Sequence, residues 1–379
     1  MKPVYIVSWL FALAISFVSC DDWLDKTPKD RLYPDVYFKT EDELRLFTNQ
    51  FYNNLVPSAV DIYSESSDLI VKSDLMLEMS GQRIIPDEGN GWNFTALRDI
   101  NFYLQYSHNC TEVNARNRYD GVARFFRAYF YFEKVKRYGD IPWYDKALDS
   151  DDPELYKARD SREFVMQKML EDLDFAIANL PKTKNAYVLT RWTALALKSR
   201  VCLFEGTFRK YHGLEDYEKY LNACVSASET FMNESGYTLY KSGSTPYRDL
   251  FASINLQADE VIFGRDYEAS LSVLHNVQNY ENSTTMGRPG MNKKIVNSYL
   301  MADGSRFTDK AGYETMTFDQ ECQNRDPRLA QTIRTPGYTR IGSTKKEAPN
   351  LAYTMTGYHL VKYSMTANYD EYNKSCNDI

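Results

Sequence analysis

Histidine is scarce: the 379 residues contain 4. Proton relays and histidine-ligated metals therefore have few donors to draw on. Cysteine is sparse as well, with 6 in the chain. Five of these follow Cys20, namely Cys110, Cys202, Cys224, Cys322 and Cys376, at irregular spacings that form no disulfide framework. Cys202 and Cys224 fall on neighbouring predicted helices and are the one pair placed to oxidise. There is no H-E-x-x-H, C-x-x-C or G-x-S-x-G, so the common metal, redox and serine-nucleophile motifs are missing. Gly337 and Gly342 have P-loop spacing, but Ser343 follows where a lysine must reach phosphate. Asp149, Asp151 and Asp152 could chelate calcium, yet they read as a solvated loop; no metal or cofactor is implied. A basic surplus is also lacking. With 45 Lys+Arg against 52 Asp+Glu the net charge is −7, which argues against nucleic acid as a partner.

Tyrosine is abundant instead, with 30 residues, and aromatics make up 15% of the chain. Tyrosine offers a flat apolar face and a hydroxyl, which suits a binding surface. The 43% apolar and 26% charged composition is that of a globular protein.

The N-terminus reads as an address. Lys2 gives a positive start, and an apolar run from Val4 to Val18 leads to Ser19-Cys20. The run is shorter than the roughly 20 residues a membrane span needs. A small residue before cysteine at the end of such a run resembles a bacterial lipoprotein signal, with residues 1–19 removed and Cys20 acylated. An ordinary signal peptide cleaved nearby is the alternative.

Six helices are predicted next. Thr40 and Glu43 form a capping box ahead of Leu44, Phe47, Phe51 and Leu55, and Pro57 ends the helix. Trp92 opens a second, carrying Leu97, Ile100, Asn101 and Leu104. The third starts at Val113, runs through Phe125–Phe132 and stops at Gly139-Asp-Ile-Pro142. The fourth starts at Asp160, with Glu163 three residues on, and stops at Pro181. The fifth and sixth, around Leu197–Phe208 and Tyr217–Phe231, are joined by a turn at Gly213. Ala194, Ala196, Ala223 and Ala227 sit where this pair must approach closely, as in a tetratricopeptide-type hairpin. Beyond about residue 235 the periodicity fades, except at Met291–Met301, and Glu260–Phe263 reads as a short strand. The fold class is thus mostly α: a tetratricopeptide-like helix-pair scaffold over 20–235 and an irregular, loop-rich, ligand-binding region over 236–379.

The candidate ligand contacts are aromatics and planar polar groups in irregular segments. Arg83, Trp92 and Asn93 share one glycine-containing loop, and Tyr280 and Tyr313 lie in two others. A sugar needs a ring to stack on and polar groups for its hydroxyls. For Trp92 a core position at a helix start is the competing reading, and for Tyr280 and Tyr313 it is ordinary loop packing.

Several segments in order resemble the SusD/RagB family of nutrient-binding lipoproteins. They are Cys20–Pro28, Phe38–Leu44, Phe125–Phe132 through Pro142, Ala194–Val201, Arg288-Pro289 leading to Leu300–Gly304, and Arg325-Asp-Pro-Arg-Leu329. The resemblance implies a non-enzymatic, lipid-anchored protein on the outer-membrane surface. It would capture a poly- or oligosaccharide and hand it to a SusC-like TonB-dependent transporter. A surface glycoside hydrolase, or an adaptor lid that takes peptide or no ligand, are the alternatives from other classes. Members usually continue into further helices, whereas this sequence stops at Tyr372–Ile379 in polar loop residues, so a C-terminal truncation with poor solubility is expected.

Overall fold

The computed structural model describes residues 36–57, 69–87, 89, 91–253, 255–267, 271, 273, 277 and 282–364. Cys20, Tyr280 and Cys376, and with them the expected acylation site and one expected ligand contact, lie outside these residues.

Six long helices occupy the first two-thirds: α1 Glu41–Leu55, α2 Thr95–Tyr106, α3 Val113–Tyr138, α4 Arg162–Asn179, α5 Arg191–Tyr211 and α6 Tyr217–Glu234. α1 begins as its sequence dictates. The Thr40 side chain accepts from Glu43 N–H while the Glu43 carboxylate accepts from Thr40 N–H, closing the capping box. Its stripe of Leu44 and Phe51 is buried. α3 is the spine: Phe125, Phe126, Phe130, Tyr131 and Phe132 all enter the core, so most of its circumference is covered. Gly139, at φ 71°, ends it in a conformation other residues avoid. α3 packs on α1, α2 and α4, and α5 on α4 and α6. The α5–α6 hairpin turns at Gly213, with φ 65°.

Two helix starts differ from expectation. α2 begins at Thr95 rather than at Trp92, because Asn93 Oδ1 accepts from Thr95 N–H at 2.8 Å and leaves Trp92 outside the helix. α4 is capped by Ser161, whose hydroxyl accepts from Phe164 N–H; the Asp160 carboxylate instead accepts from Trp143 N–H at 2.7 Å. α5 and α6 approach tightly at Gly206, where a Cβ would fall 2.6 Å from Leu221, and Ala194 and Ala227 are buried. Cys202 and Cys224 are both free thiols.

After Glu234 the chain runs mostly without regular structure, apart from short turns such as Lys293–Ser298, which is all that forms of the helix expected over Met291–Met301. Glu260–Phe263 is not a strand. Phe263 packs on the helical core, and Glu260 is drawn aside to accept from Tyr240 N–H. A two-residue strand, β1 Ile70–Val71, pairs antiparallel with β2 Gly290–Met291 and ties the N-terminal half to this region. A second apolar cluster, including Val296, Leu329, Ile333 and Leu360, forms its interior. There Arg325 takes over the task of missing ladders. It donates to the carbonyls of Glu321 (2.8 Å), Val296 (2.6 Å), Tyr299 (2.9 Å) and Leu300 (3.4 Å) and stacks on Phe307.

Candidate carbohydrate site

A buried polar network fixes the ground on which the candidate site stands. Arg127 of α3 forks onto Asp172 of α4 at 2.6 and 2.7 Å and donates a third hydrogen bond to Asn101 Oδ1 of α2. Asn101 in turn donates to the carbonyls of Tyr144 and Lys146. Tyr131 stacks on Trp143 at 4.3 Å, and its hydroxyl accepts from Tyr144 N–H at 2.6 Å. Three helices thereby hold the segment Ile141–Leu148 in one position.

Against that segment lies a cleft of about 360 Å³ lined by Trp92, Phe94, Arg98, Tyr144, Lys146 and Leu155, among others. Phe94 meets Tyr144 edge-to-face at 5.7 Å. Trp92 stands at the mouth, 41% exposed, with edge-to-face contacts to Phe94 at 5.3 Å and Tyr138 at 4.9 Å. Its ring is held by these contacts and stays partly exposed. Arg98 donates to Leu148 O, and Lys146 pairs with Asp152 and Glu154 at 3.4 and 3.0 Å. Burial raises the Tyr144 hydroxyl above its ordinary value, and Asp160 and Glu154 add to the shift. An aromatic wall with a polar rim can stack a sugar face and bond its hydroxyls.

Of the residues expected from sequence, Trp92 stands at this mouth, while its neighbour Asn93 is exposed outside the lining and accepts from Thr95 N–H. Arg83 is exposed and pairs with Glu78 at 3.5 Å. Tyr313 lies edge-to-face on Phe307 at 5.7 Å, in the irregular region. The residues that sequence reading missed are Phe94, Arg98 and Tyr144. Asn101 was visible as a polar residue within the apolar stripe of α2, which is the signature of a buried amide with partners.

Other hollows lie among the described residues, two of them beside the helical core. One, of about 530 Å³, lies where Phe125, Phe126 and Leu197 of the helices face Ile262 and Phe263. The other, polar and about 600 Å³, is lined by Asp120, Arg124, Arg127, Asp145 and Lys146. Burial raises the Asp120 carboxyl, while neighbouring hydroxyls and Arg124 pull the other way. Among the described residues no group of three or more His, Cys, Asp and Glu could hold a metal ion, and Asp152 instead caps the turn Pro153–Tyr156.

Comparison with known proteins agrees with this architecture. A model of the SusD family matches residues 250–379, and a second, described as starch-binding and associating with the outer membrane, matches residues 80–191. The chain is a member of the SusD/RagB family. SusD-like protein P25 of Formosa agariphila is 20% identical over 297 residues, 70% of this chain and 52% of that protein. The chain spans about half the length of the curated relatives it matches. Among solved structures, a SusD-like protein of Bacteroides fragilis superposes with a TM-score of 0.71 at 22% identity, covering 92% of this chain and 72% of that one. Another, solved with a xylogluco-oligosaccharide, gives a TM-score of 0.55 at 18% identity, covering 78% and 58%. These likenesses agree with the mostly helical fold read from sequence.

The SusD/RagB segments can now be given structural roles. Phe125–Phe132 fills the core of α3. In Arg325-Asp-Pro-Arg-Leu329, Arg325 clamps carbonyls, Asp326 caps the turn Pro327–Ala330, and Leu329 is buried. Phe125–Phe132 and Arg325–Leu329 thus serve the scaffold.

Proposed function

We propose that this SusD/RagB protein is a glycan-binding lipoprotein of the outer-membrane surface, anchored through acylated Cys20. It captures a poly- or oligosaccharide without cleaving it and passes it to a SusC-like TonB-dependent transporter. The observation that carries this reading is the Trp92 cleft. It is an exposed indole beside Phe94 and Tyr144, within the stretch that matches the starch-binding description. Trp92 is the stacking platform, and Arg83, Asn93, Tyr280 and Tyr313 are the further contacts proposed from the sequence. The related structure with a xylogluco-oligosaccharide supports an oligosaccharide as a ligand type for this fold.

The test is affinity electrophoresis of the chain and of Trp92→Ala through gels cast with a panel of polysaccharides. The expected outcome is retardation by at least one polymer, lost in Trp92→Ala, with no new reducing ends. Base–ring stacking of comparable kind is worth about 1–3 kcal/mol, enough for a visible shift. Release of reducing ends would instead support the hydrolase.

A further inference from the structure

The charge around Trp92 points to what kind of sugar the cleft receives. The protein as a whole is acidic, at −7. Yet the tryptophan is bordered by cations from two separate segments. Arg159 holds its guanidinium over the indole at 5.0 Å. Lys134 of α3 donates to Gly91 O, in the residue preceding Trp92. Arg137 lies over Tyr138, the ring that meets Trp92, and a Cβ on Gly91 would fall 3.9 Å from its Nε. The crowding registers on Lys134, whose ammonium is lowered by burial and then by Arg137.

Three carboxylates that neighbour Lys134, Arg137 and Arg159 along the chain are committed elsewhere. Glu133 pairs with Lys136 at 2.6 Å, Asp140 accepts from Arg162 N–H at 2.8 Å, and Asp160 is shared between Lys157 and Trp143 N–H. Among the described residues Arg159 forms no ion pair, and it is exposed. The cations inside the cleft differ, since Lys146 is already matched by Asp152 and Glu154. An exposed guanidinium over an aromatic ring, without a carboxylate partner among the described residues, offers its fork of donors to an anion.

We propose that the Trp92 cleft takes a saccharide bearing an anionic group, a carboxylate or a sulfate ester, with the sugar ring on Trp92 and the anion on Arg159. The proposal rests on the glycan-binding reading above and deepens it. Bulk attraction cannot stand in for a site here, because the net negative charge repels polyanions.

The test uses the full chain in gels cast with polygalacturonate, its fully methyl-esterified form, chondroitin sulfate, dextran or xyloglucan. Wild type, Arg159→Gln, Arg159→Lys and Trp92→Ala run side by side, each checked for a cooperative melt. Retardation is expected with polygalacturonate or chondroitin sulfate, whichever anion fits, and not with the esterified or neutral polymers. Arg159→Gln should weaken it about tenfold, the worth of one charge-assisted hydrogen bond, and Arg159→Lys should keep part of it. Binding to the neutral polymers alone would overturn the anionic assignment and leave the glycan reading intact. Binding to an acidic polymer that Arg159→Gln leaves unchanged would also overturn it. No retardation of the folded protein in any gel would overturn both.

Discussion

The two halves of the molecule satisfy their backbones in different ways. In α1–α6 each peptide group finds its partner four residues away, so side chains are free to pack, and a single aromatic-rich core runs from Phe38 to Tyr220. After Glu234 the described residues form only short helices and turns, and arginine side chains bind carbonyls that longer elements would have paired. Arg325 serves four carbonyls, Arg248 donates to Thr339 O at 3.0 Å, and Arg288 to Leu351 O at 2.5 Å. The helical half uses buried charge for a different end: Arg127–Asp172 and Arg162–Glu205–Arg209 join helix to helix. Arginine is thus a tie between elements in one half and a substitute for elements in the other.

Mutations sharpen this contrast. The largest effect is expected for Arg127→Met, which strands Asp172 at 2% exposure. Breaking a buried pair from one side costs about 3–5 kcal/mol, read as a lower urea midpoint, and Arg127→Met with Asp172→Leu should recover most of it. Arg325→Met comes next, at about 2–4 kcal/mol for carbonyls left without donors. Hydrogen exchange should rise in 290–330 while α3 stays protected. Equal loss of protection in α3 would show that the two halves unfold as one.

A third prediction concerns pH. Lys362 lies over Phe251 at 4.0 Å and donates to Tyr247 Oη, and burial pulls its ammonium down to about 8 from the ordinary 10.5. The unfolded chain binds this proton more tightly, so protonation penalises the native state. Stability should therefore be greatest above 10.5, fall between 10.5 and about 8, and bear the full penalty below. Lys362→Met should remove that slope and stabilise the protein at neutral pH by about 2 kcal/mol, seen by comparing urea midpoints of the two proteins across pH. The smallest effect belongs to Thr40→Ala, which opens the capping box of α1 at a cost of about 1 kcal/mol, measured as a small drop in melting temperature.

The sequence made the first half legible because its signals are local. A capping box spans four residues, and the stripe of α1 repeats within one turn. The start of α4 was misplaced by one residue for a non-local reason. Asp160 and Ser161 can both cap, but Trp143 N–H, far back in the chain, captures the aspartate. Glu260–Phe263 has the composition of a strand, yet among the described residues no strand pairs with it; apolar packing of Phe263 on the helices decides its course. The candidate site shows the same division. Trp92 was visible as an aromatic in a glycine loop, whereas Tyr144, Arg98 and Arg159 reach it from separate segments. The Arg127–Asp172–Asn101 network and the Tyr131 hydroxyl, which no local pattern announces, place Tyr144 there.

The Arg325 clamp bears on what inheritance can and cannot preserve in such a protein. Its guanidinium faces inward, spent on the chain's own carbonyls and on Phe307. Substitutions at Trp92 or Arg159 touch none of these bonds, so the exposed cleft can be rebuilt residue by residue while the knot beneath the irregular half stays tied.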